Sequence, residues 1–340
     1  MNTAKILERC RYLPGVTVKM NEAYAELWLS NDNGTGRMRF IPMFPGITIA
    51  AISVNAASWP APVLEEAKPE AKGPLIVNYC ICGRCELVLN DNKSVFLTSG
   101  QISLTEKFAQ NKYIYPGGLY EGIELFIDPE AVQNGVAALS EDFGLHIEEL
   151  VKRYCADGET FIAELPLPEA LVKRLYSFSA PEDVIGTVGM KTGVIELLAL
   201  LLHGQPVPEN EKLTYYTRFQ VEIAKQIEAV IREDLSRRHT VRELSGRFSV
   251  SESSIKNYFY GVYGQSISRY AAHQRMEYAA ELLSETNLSV IEISHSVGYE
   301  SQSKFAAAFC REYGVAPVEY RRRQNLTDHS GEYGSMAAIR

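Results

Sequence analysis

The stretch Thr240–Gly264, TVRELSGRFSVSESSIKNYFYGVYG, returns in altered form at Ser289–Gly314, SVIEISHSVGYESQSKFAAAFCREYG. Val241, Leu244 and Phe248 recur 49 residues later as Val290, Ile293 and Val297. Ser251, Ile255, Phe259, Tyr263 and Gly264 recur 50 residues later as Ser301, Phe305, Phe309, Tyr313 and Gly314. In each copy the spacing predicts a short helix, a tight turn with a capping serine, and a second helix ended by glycine. The apolar positions supply the seam of a helix-turn-helix, and the opposite side of the second helix stays free to enter a major groove.

Between the copies, Ile267–Leu283 has helical periodicity through Ile267, Tyr270, Ala271, Met276, Ala279, Ala280, Leu282 and Leu283. A helix of that length spans about 26 Å, enough to help hold two modules near one duplex turn, about 34 Å, apart. Ahead of the repeat, Tyr216–Leu235 reads as an amphipathic helix, and Gly204–Asn210, with two prolines, reads as a linker.

The remaining chain has a different rhythm. Short apolar segments at Ala25–Ser30, Arg37–Ile41, Thr48–Val54, Leu75–Cys80, Cys85–Leu89, Ser94–Thr98 and Tyr120–Ile127 alternate with Gly, Pro, Asn and Asp. They predict strands of a barrel or sandwich, with Asn90–Lys93 closing a hairpin. Asp128-Pro129 is a plausible helix start, and Leu139–Tyr154, Pro168–Phe178 and Thr187–His203 have helical spacing. The last is apolar on more than one face, so Val194, Leu198 and Leu201 are expected either in an internal core or at a seam with a second chain.

Charge follows the same division. Of the net −8 over 340 residues, residues 1–210 hold 17 basic and 26 acidic side chains, whereas 211–323 hold 16 and 14. A uniformly basic polyanion binder is excluded, and local placement must carry any affinity for nucleic acid. The six cysteines are too sparse for a disulfide scaffold. The cluster Cys80-Ile-Cys82-Gly-Arg-Cys85 reads as packing and turn chemistry ahead of a soft-metal or redox role, because no neighbouring histidine completes a ligand set. The amino terminus has no apolar core of signal-peptide length, and the best apolar run, Val194–Leu202, contains Glu196. Neither export nor a membrane span is expected, and a cytoplasmic location is the expectation.

Ile267–Arg322 closely resembles the carboxy-terminal domain of the AraC/XylS family of bacterial transcription regulators. The resemblance rests on Tyr270, Arg275-Met276, Ala279, Leu282-Leu283, Val290, Ile293, Val297-Gly298-Tyr299, Ser303-Lys304-Phe305, Phe309, Gly314, Pro317 and Tyr320-Arg321. More weakly, Leu75–Gly100 resembles part of the cupin-like sensor barrel of members that respond to small molecules. What this implies is a multidomain α+β chain. A cupin-like β-barrel is expected at 1–128, a helical dimerisation subdomain at 129–204 and a linker at 205–214; an all-α double helix-turn-helix at 215–323 and a flexible tail at 324–340 complete it.

The implied partners are double-stranded promoter DNA, a small-molecule effector, a second copy of the chain and RNA polymerase, with no cofactor, metal or catalytic activity; activation is implied over repression. The family's base-contact positions fall on Ser253 and Asn257 in the first copy and on Ser303 and Ala307 in the second, with Gln302 beside them. Asn257 can pair with adenine's N7 and N6, while Ala307 offers only an apolar contact, for example to a thymine methyl. Ser251, Lys256, Ser301, Lys304, Arg269 and Arg321 are candidate phosphate contacts. Tyr79, Glu86, Tyr113, Tyr115 and Tyr120 are candidate effector-lining residues, with core packing as the alternative for the aromatics.

Overall fold

The computed structural model describes residues 3–61, 74–89, 93–106, 112–128, 131–132, 137–156, 158, 160–178, 184–204 and 213–329. The expected linker lies almost wholly outside the described residues, as do Asn90–Asn92 of the expected hairpin turn and Pro129. The chain divides into two compact units, Met1–Arg218 and Phe219–Arg340.

In the first unit the strands are β1 (Val16–Met20), β2 (Ala25–Asn31), β3 (Gly34–Phe44), β4 (Ile47–Ala56), β5 (Ser58–Pro60), β6 (Leu75–Val88), β7 (Lys93–Thr98), β8 (Gln101–Thr105), β9 (Lys112–Ile114), β10 (Leu119–Ile127), β11 (Phe161–Glu164) and β12 (Tyr216–Thr217). Ten of them form one antiparallel sheet: eight run in the order β1-β2-β3-β4-β10-β6-β7-β12, β8 branches from β6 and carries β11, and β5 pairs with β9 separately. The segments Leu75–Cys80 and Cys85–Leu89 are one strand, not two. It passes through Gly83, whose φ of +84° and close approach to the Leu119 carbonyl suit only glycine. Beyond that bend β6 pairs with β7 through Arg84–Val88, while its first half pairs with β8 through Ile76–Tyr79.

This branching corrects the expected barrel. One arm of the sheet ends at β12 and the other at β11, while β1 pairs only with β2; among the described residues no ladder joins these edges. Closure requires the outermost strands to pair with each other. The sheet is open, and the cupin-like assignment falls with it.

The alternation of side chains builds a core on each face. Ile47, Ile49, Leu75, Val77, Ile102, Leu104, Ile123 and Leu125 pack beneath the helices. Those helices are α2 (Ala137–Glu141), α3 (Ile147–Tyr154), α4 (Glu169–Leu175) and α5 (Val184–His203). The single helix expected over Leu139–Tyr154 is thus two, separated at Gly144. The opposite face buries Leu27, Leu29, Ile52, Val54, Cys80, Cys85, Leu97, Tyr115, Tyr120 and Phe126 with Trp59 of β5, and α1 (Thr3–Cys10) adds Leu7 and Cys10. By length and composition α5 is apolar enough to cross a membrane, yet Met190, Val194, Leu197, Leu198, Leu201 and Leu202 are buried in the sheet-and-helix core.

Among the described residues the regular elements after Thr217 are all helices: α6 (Arg218–Glu233), α7 (Val241–Phe248), α8 (Glu252–Tyr263), α9 (Ile267–Glu285), α10 (Val290–Ser296), α11 (Gln302–Tyr313) and α12 (Pro317–His329). The second unit has two cores. Ile223, Ile227, Leu244, Ile255, Phe259, Ile267 and Tyr270 make the first; Met276, Ala279, Leu283, Ile293, Val297, Phe305 and Phe309 make the second. Helix α9 belongs to both, its first turns to one core and its last to the other. The final helix runs on to His329.

Candidate nucleic-acid interface

The repeat in the sequence is a repeat in three dimensions, capped alike at each end. Thr240 and Glu243 close a capping box at the start of α7, and Ser289 and Glu292 close the same box at α10. Ser251 accepts from the Ser254 amide at the start of α8, and Ser301 from the Lys304 amide at the start of α11. Both helices end at glycines, Gly264 and Gly314, in the left-handed conformation. Behind each stands an aromatic triplet of matching geometry. Phe259, Tyr263 and Tyr270 have ring centroids 4.6, 5.4 and 5.1 Å apart; Phe309, Tyr313 and Tyr320 have them 4.6, 5.3 and 5.2 Å apart.

These seams fix what faces outward. With Ile255 and Phe259 fully buried, α8 exposes Ser253, Lys256, Asn257 and Tyr260. With Phe305 and Phe309 fully buried, α11 exposes Gln302, Ser303, Lys304 and Ala307. Ser251 and Ser253 are hydrogen-bonded at 3.0 Å, which ties one expected phosphate contact to one expected base contact. The two amino termini differ in charge: Glu252 stands in the first turn of α8, whereas the first turn of α11 has no acid. The open amides of α11 therefore present the stronger field for a phosphate.

Arg269 is exposed on α9, as a phosphate contact requires. Arg321 is committed elsewhere. Its Nε donates to the Leu283 carbonyl at 3.1 Å and its Nη2 to the Leu288 carbonyl at 2.6 Å, fastening α12 to the segment that leads into α10. The first copy has the same clamp: Arg275 donates to Leu235 O at 2.7 Å and to Arg237 O at 2.9 Å ahead of α7. The two arginines stand at different distances from their tyrosines, Arg321 directly after Tyr320 and Arg275 five residues after Tyr270, so the repeat gives no shared signal for them and each reads equally well as a surface charge. Gly298 has a similar explanation, since a Cβ there would stand 2.1 Å from the Ser236 carbonyl.

One further contact joins the connector to the second outward helix. His273 of α9 lies 2.6 Å from Glu312 of α11 and 3.3 Å from Glu277. The bond to Glu277, with both carboxylates nearby, raises the imidazole to about 9.

The expected effector residues do not converge. Tyr79 is packed in the helix-covered core, whereas Tyr115 and Tyr120 are stacked at 4.9 Å in the core of the other face, with Tyr113 against it. Glu86 accepts from the Ser94 hydroxyl at 2.7 Å on the β6–β7 arm. Sequence reasoning missed the residue that does join the three tyrosines, Glu124, whose burial raises its carboxyl to about 7 and whose charge bears on Tyr113, Tyr115 and Tyr120. Its position in Tyr120-Glu121-Gly122-Ile123-Glu124 gives no alternation that distinguishes an inward acid from an outward one.

Val194, Leu198 and Leu201, expected at an internal core or a dimer seam, are at most 1% exposed within their own unit, so a second chain cannot reach them without unpacking it. The apolar side chains that α5 does expose are Val184, Ile185 and Val188. Cys80 and Cys85 are buried, and desolvation pushes the Cys80 thiol up to about 12, which disfavours the thiolate. Among the described residues no group of three or more His, Cys, Asp or Glu side chains is placed to hold a metal ion.

Residues 244–323 match the family model described as "Helix-turn-helix domain". The second unit thus carries a helix-turn-helix domain, and it is similar in sequence to AraC-like regulators. Over 96 residues the chain is 35% identical to a "Putative AraC-like transcription regulator" of Streptomyces lividans, a match covering 28% of this chain and 32% of the relative. It is 38% identical over 84 residues to the "RCS-specific HTH-type transcriptional activator RclR" of Escherichia coli (strain K12), covering 25% of this chain and 30% of that one. A longer match, 22% identical over 255 residues, covers 75% of this chain and 86% of the "Msm operon regulatory protein" of Streptococcus mutans. The first two matches thus span about a third of those relatives' own lengths.

Proposed function

We propose that the chain is a sequence-specific transcriptional regulator that reads duplex DNA with α8 and α11 and is controlled by a small molecule bound in its first unit. The observation that carries this reading is the duplication: two helices, each with a wholly buried seam, leave the equivalent faces of Ser253 and Asn257 and of Ser303 and Ala307 exposed and share one connector. Direct base readout falls to Asn257 and Ser253 on α8 and to Gln302 and Ser303 on α11, where Ala307 contributes apolar contact and shape. Ser251, Lys256, Ser301, Lys304 and Arg269 hold the backbone and set the register. In this reading the protein acts as an activator in contact with RNA polymerase and as a homodimer. The exposed turn at Val184, Ile185 and Val188 supports a seam at the start of α5.

The test is selection of bound fragments from the source genome by the full-length protein, followed by anisotropy titration of the selected sequence and a scrambled duplex. Enrichment of a repeated motif bound at least tenfold more tightly than the scrambled duplex supports the reading. Equal affinity for both removes it.

A further inference from the structure

We propose that the helix-covered face of the first unit's sheet carries an oxyanion site built on Arg39 and Arg37, suited to the carboxylate or phosphate group of a small molecule. As a statement about regulation it rests on the effector reading above; as a binding site it stands on geometry alone.

Two arginines on this face share one carboxylate. Arg39 is opposite Glu26 in the β2–β3 register and Arg37 is opposite Trp28. Both approach Glu26 Oε1, Arg37 Nη2 at 2.5 Å and Arg39 Nη1 at 3.3 Å. The same two nitrogens donate to the Phe178 carbonyl. The guanidinium planes are held by aromatic rings: Arg37 lies between Trp28 at 4.5 Å and Phe178 at 5.0 Å, and Arg39 lies 3.9 Å from the Tyr24 ring. The trio has a net charge of +1. A further carboxylate on this face, Glu121, is engaged by the Tyr176 hydroxyl, which also meets Ser53.

What remains unused points to a ligand. The Arg39 side chain is 7% exposed, yet its Nε is buried without an acceptor, and so is the Nε of Arg37. Arg39 spends only Nη1 on Glu26 and Phe178, so among the described residues its Nε–Nη2 edge has no acceptor. That edge is the parallel pair of donors that grips two oxygens of a carboxylate or phosphate. Buried guanidinium donors are ordinarily satisfied, and leaving them unmet is costly. A purely structural pair would require a second carboxylate, and among the described residues the other one on this face, Glu121, is already engaged by Tyr176. Stacking already fixes both planes, so little ordering cost remains for an oxyanion that completes them. Trp28, 39% exposed, forms an accessible rim on which the rest of such a molecule can lie.

The experiment titrates the full-length protein with succinate, with inorganic phosphate and with chloride at matched ionic strength, reading the fluorescence of Trp28. Trp28→Phe identifies the signal, because the other tryptophan, Trp59, is buried in the opposite core. A saturable response to succinate or phosphate but not to chloride supports the site, and which of the two binds more tightly identifies the oxyanion. Arg39→Lys keeps a cation beside Glu26 but loses the paired donors, so it should weaken binding by roughly tenfold with an unchanged melting temperature. Identical responses to all three salts, or unaltered affinity in a folded Arg39→Lys protein, overturn it. Should that variant not fold, the comparison of salts on the wild-type chain decides. Anisotropy on DNA with saturating ligand is a separate reading: binding at the site with no change in DNA affinity sinks only its regulatory role.

Discussion

Asn257 and Lys256 are neighbours on one exposed face, yet they are expected to fail differently when cut back. Asn257→Ala should cost about 1–3 kcal/mol at one base position and leave random duplex nearly untouched, whereas Lys256→Ala should weaken all sequences alike. Anisotropy on a panel of single-base variants measures both, and equal losses on specific and random DNA for Asn257→Ala would refute a specifying role. Glu124 makes a different prediction. Its carboxyl is raised from 4.5 to about 7 in the folded protein by burial. The folded state therefore holds a proton that the unfolded state has released, and stability falls as pH rises from 4.5 to about 7. Glu124→Gln should remove that slope and make the first unit more resistant to urea at pH 8 than the wild type. A variant with the wild-type pH profile would show that the acid is not enclosed. The seam residues Ile255 and Phe259 were legible because their period is helical and repeated; Glu124 was not, because one acid in a strand has no period. The clamp of Arg321 was illegible for a related reason: sequence shows a basic residue, and only the fold shows the two carbonyls it faces.

Among the elements, the helices of the repeat could be read almost to their ends, since Ser251, Ser301, Gly264 and Gly314 mark caps as well as spacing. The strands were located but not connected. Nothing in Leu75–Val88 announces that one strand bends at Gly83 and serves two partners, and that branching decides whether the sheet closes. Long-range pairing is a property of several distant segments at once, and local pattern does not encode it. At this scale the arginine clamp predicts that Arg321→Ala destabilises the second unit by about 1–3 kcal/mol in chemical denaturation, with Arg275→Ala similar, because each strands a pair of carbonyls. Loss of DNA affinity with unaltered stability would instead return Arg321 to the phosphate backbone. The join between α9 and α11 carries a pH dependence of opposite origin to that of Glu124. The His273 imidazole is raised from 6.5 to about 9, first by its bond to Glu277, so its contribution is complete below pH 6.5 and disappears as pH rises through about 9. Melting of the second unit should fall between pH 7 and 10, and His273→Gln should flatten that decline.

For the molecule as a whole, the segregation of charge was plain in the sequence, and so was the existence of two differently built halves. The first half's architecture was overdrawn by resemblance, since the strands of Leu75–Gly100 are present without the closure the family likeness implied. The second unit is near-neutral overall, and Lys256 and Lys304 are exposed on the two outward helices. Removing Lys256 and Lys304 together should reduce the slope of log affinity against log salt by about 2. A slope unchanged in the double variant would place the backbone contacts on other side chains.

The dual allegiance of α9 has a consequence for how the chain can be divided. A fragment cut after Glu285 retains the residues that bury Phe259, whereas one starting at Thr286 loses Met276, Ala279, Ala280 and Leu283 and with them one wall around Phe305 and Phe309. The duplicated modules are thus not interchangeable building blocks: the upstream one is separable, and the downstream one inherits part of its interior from its neighbour.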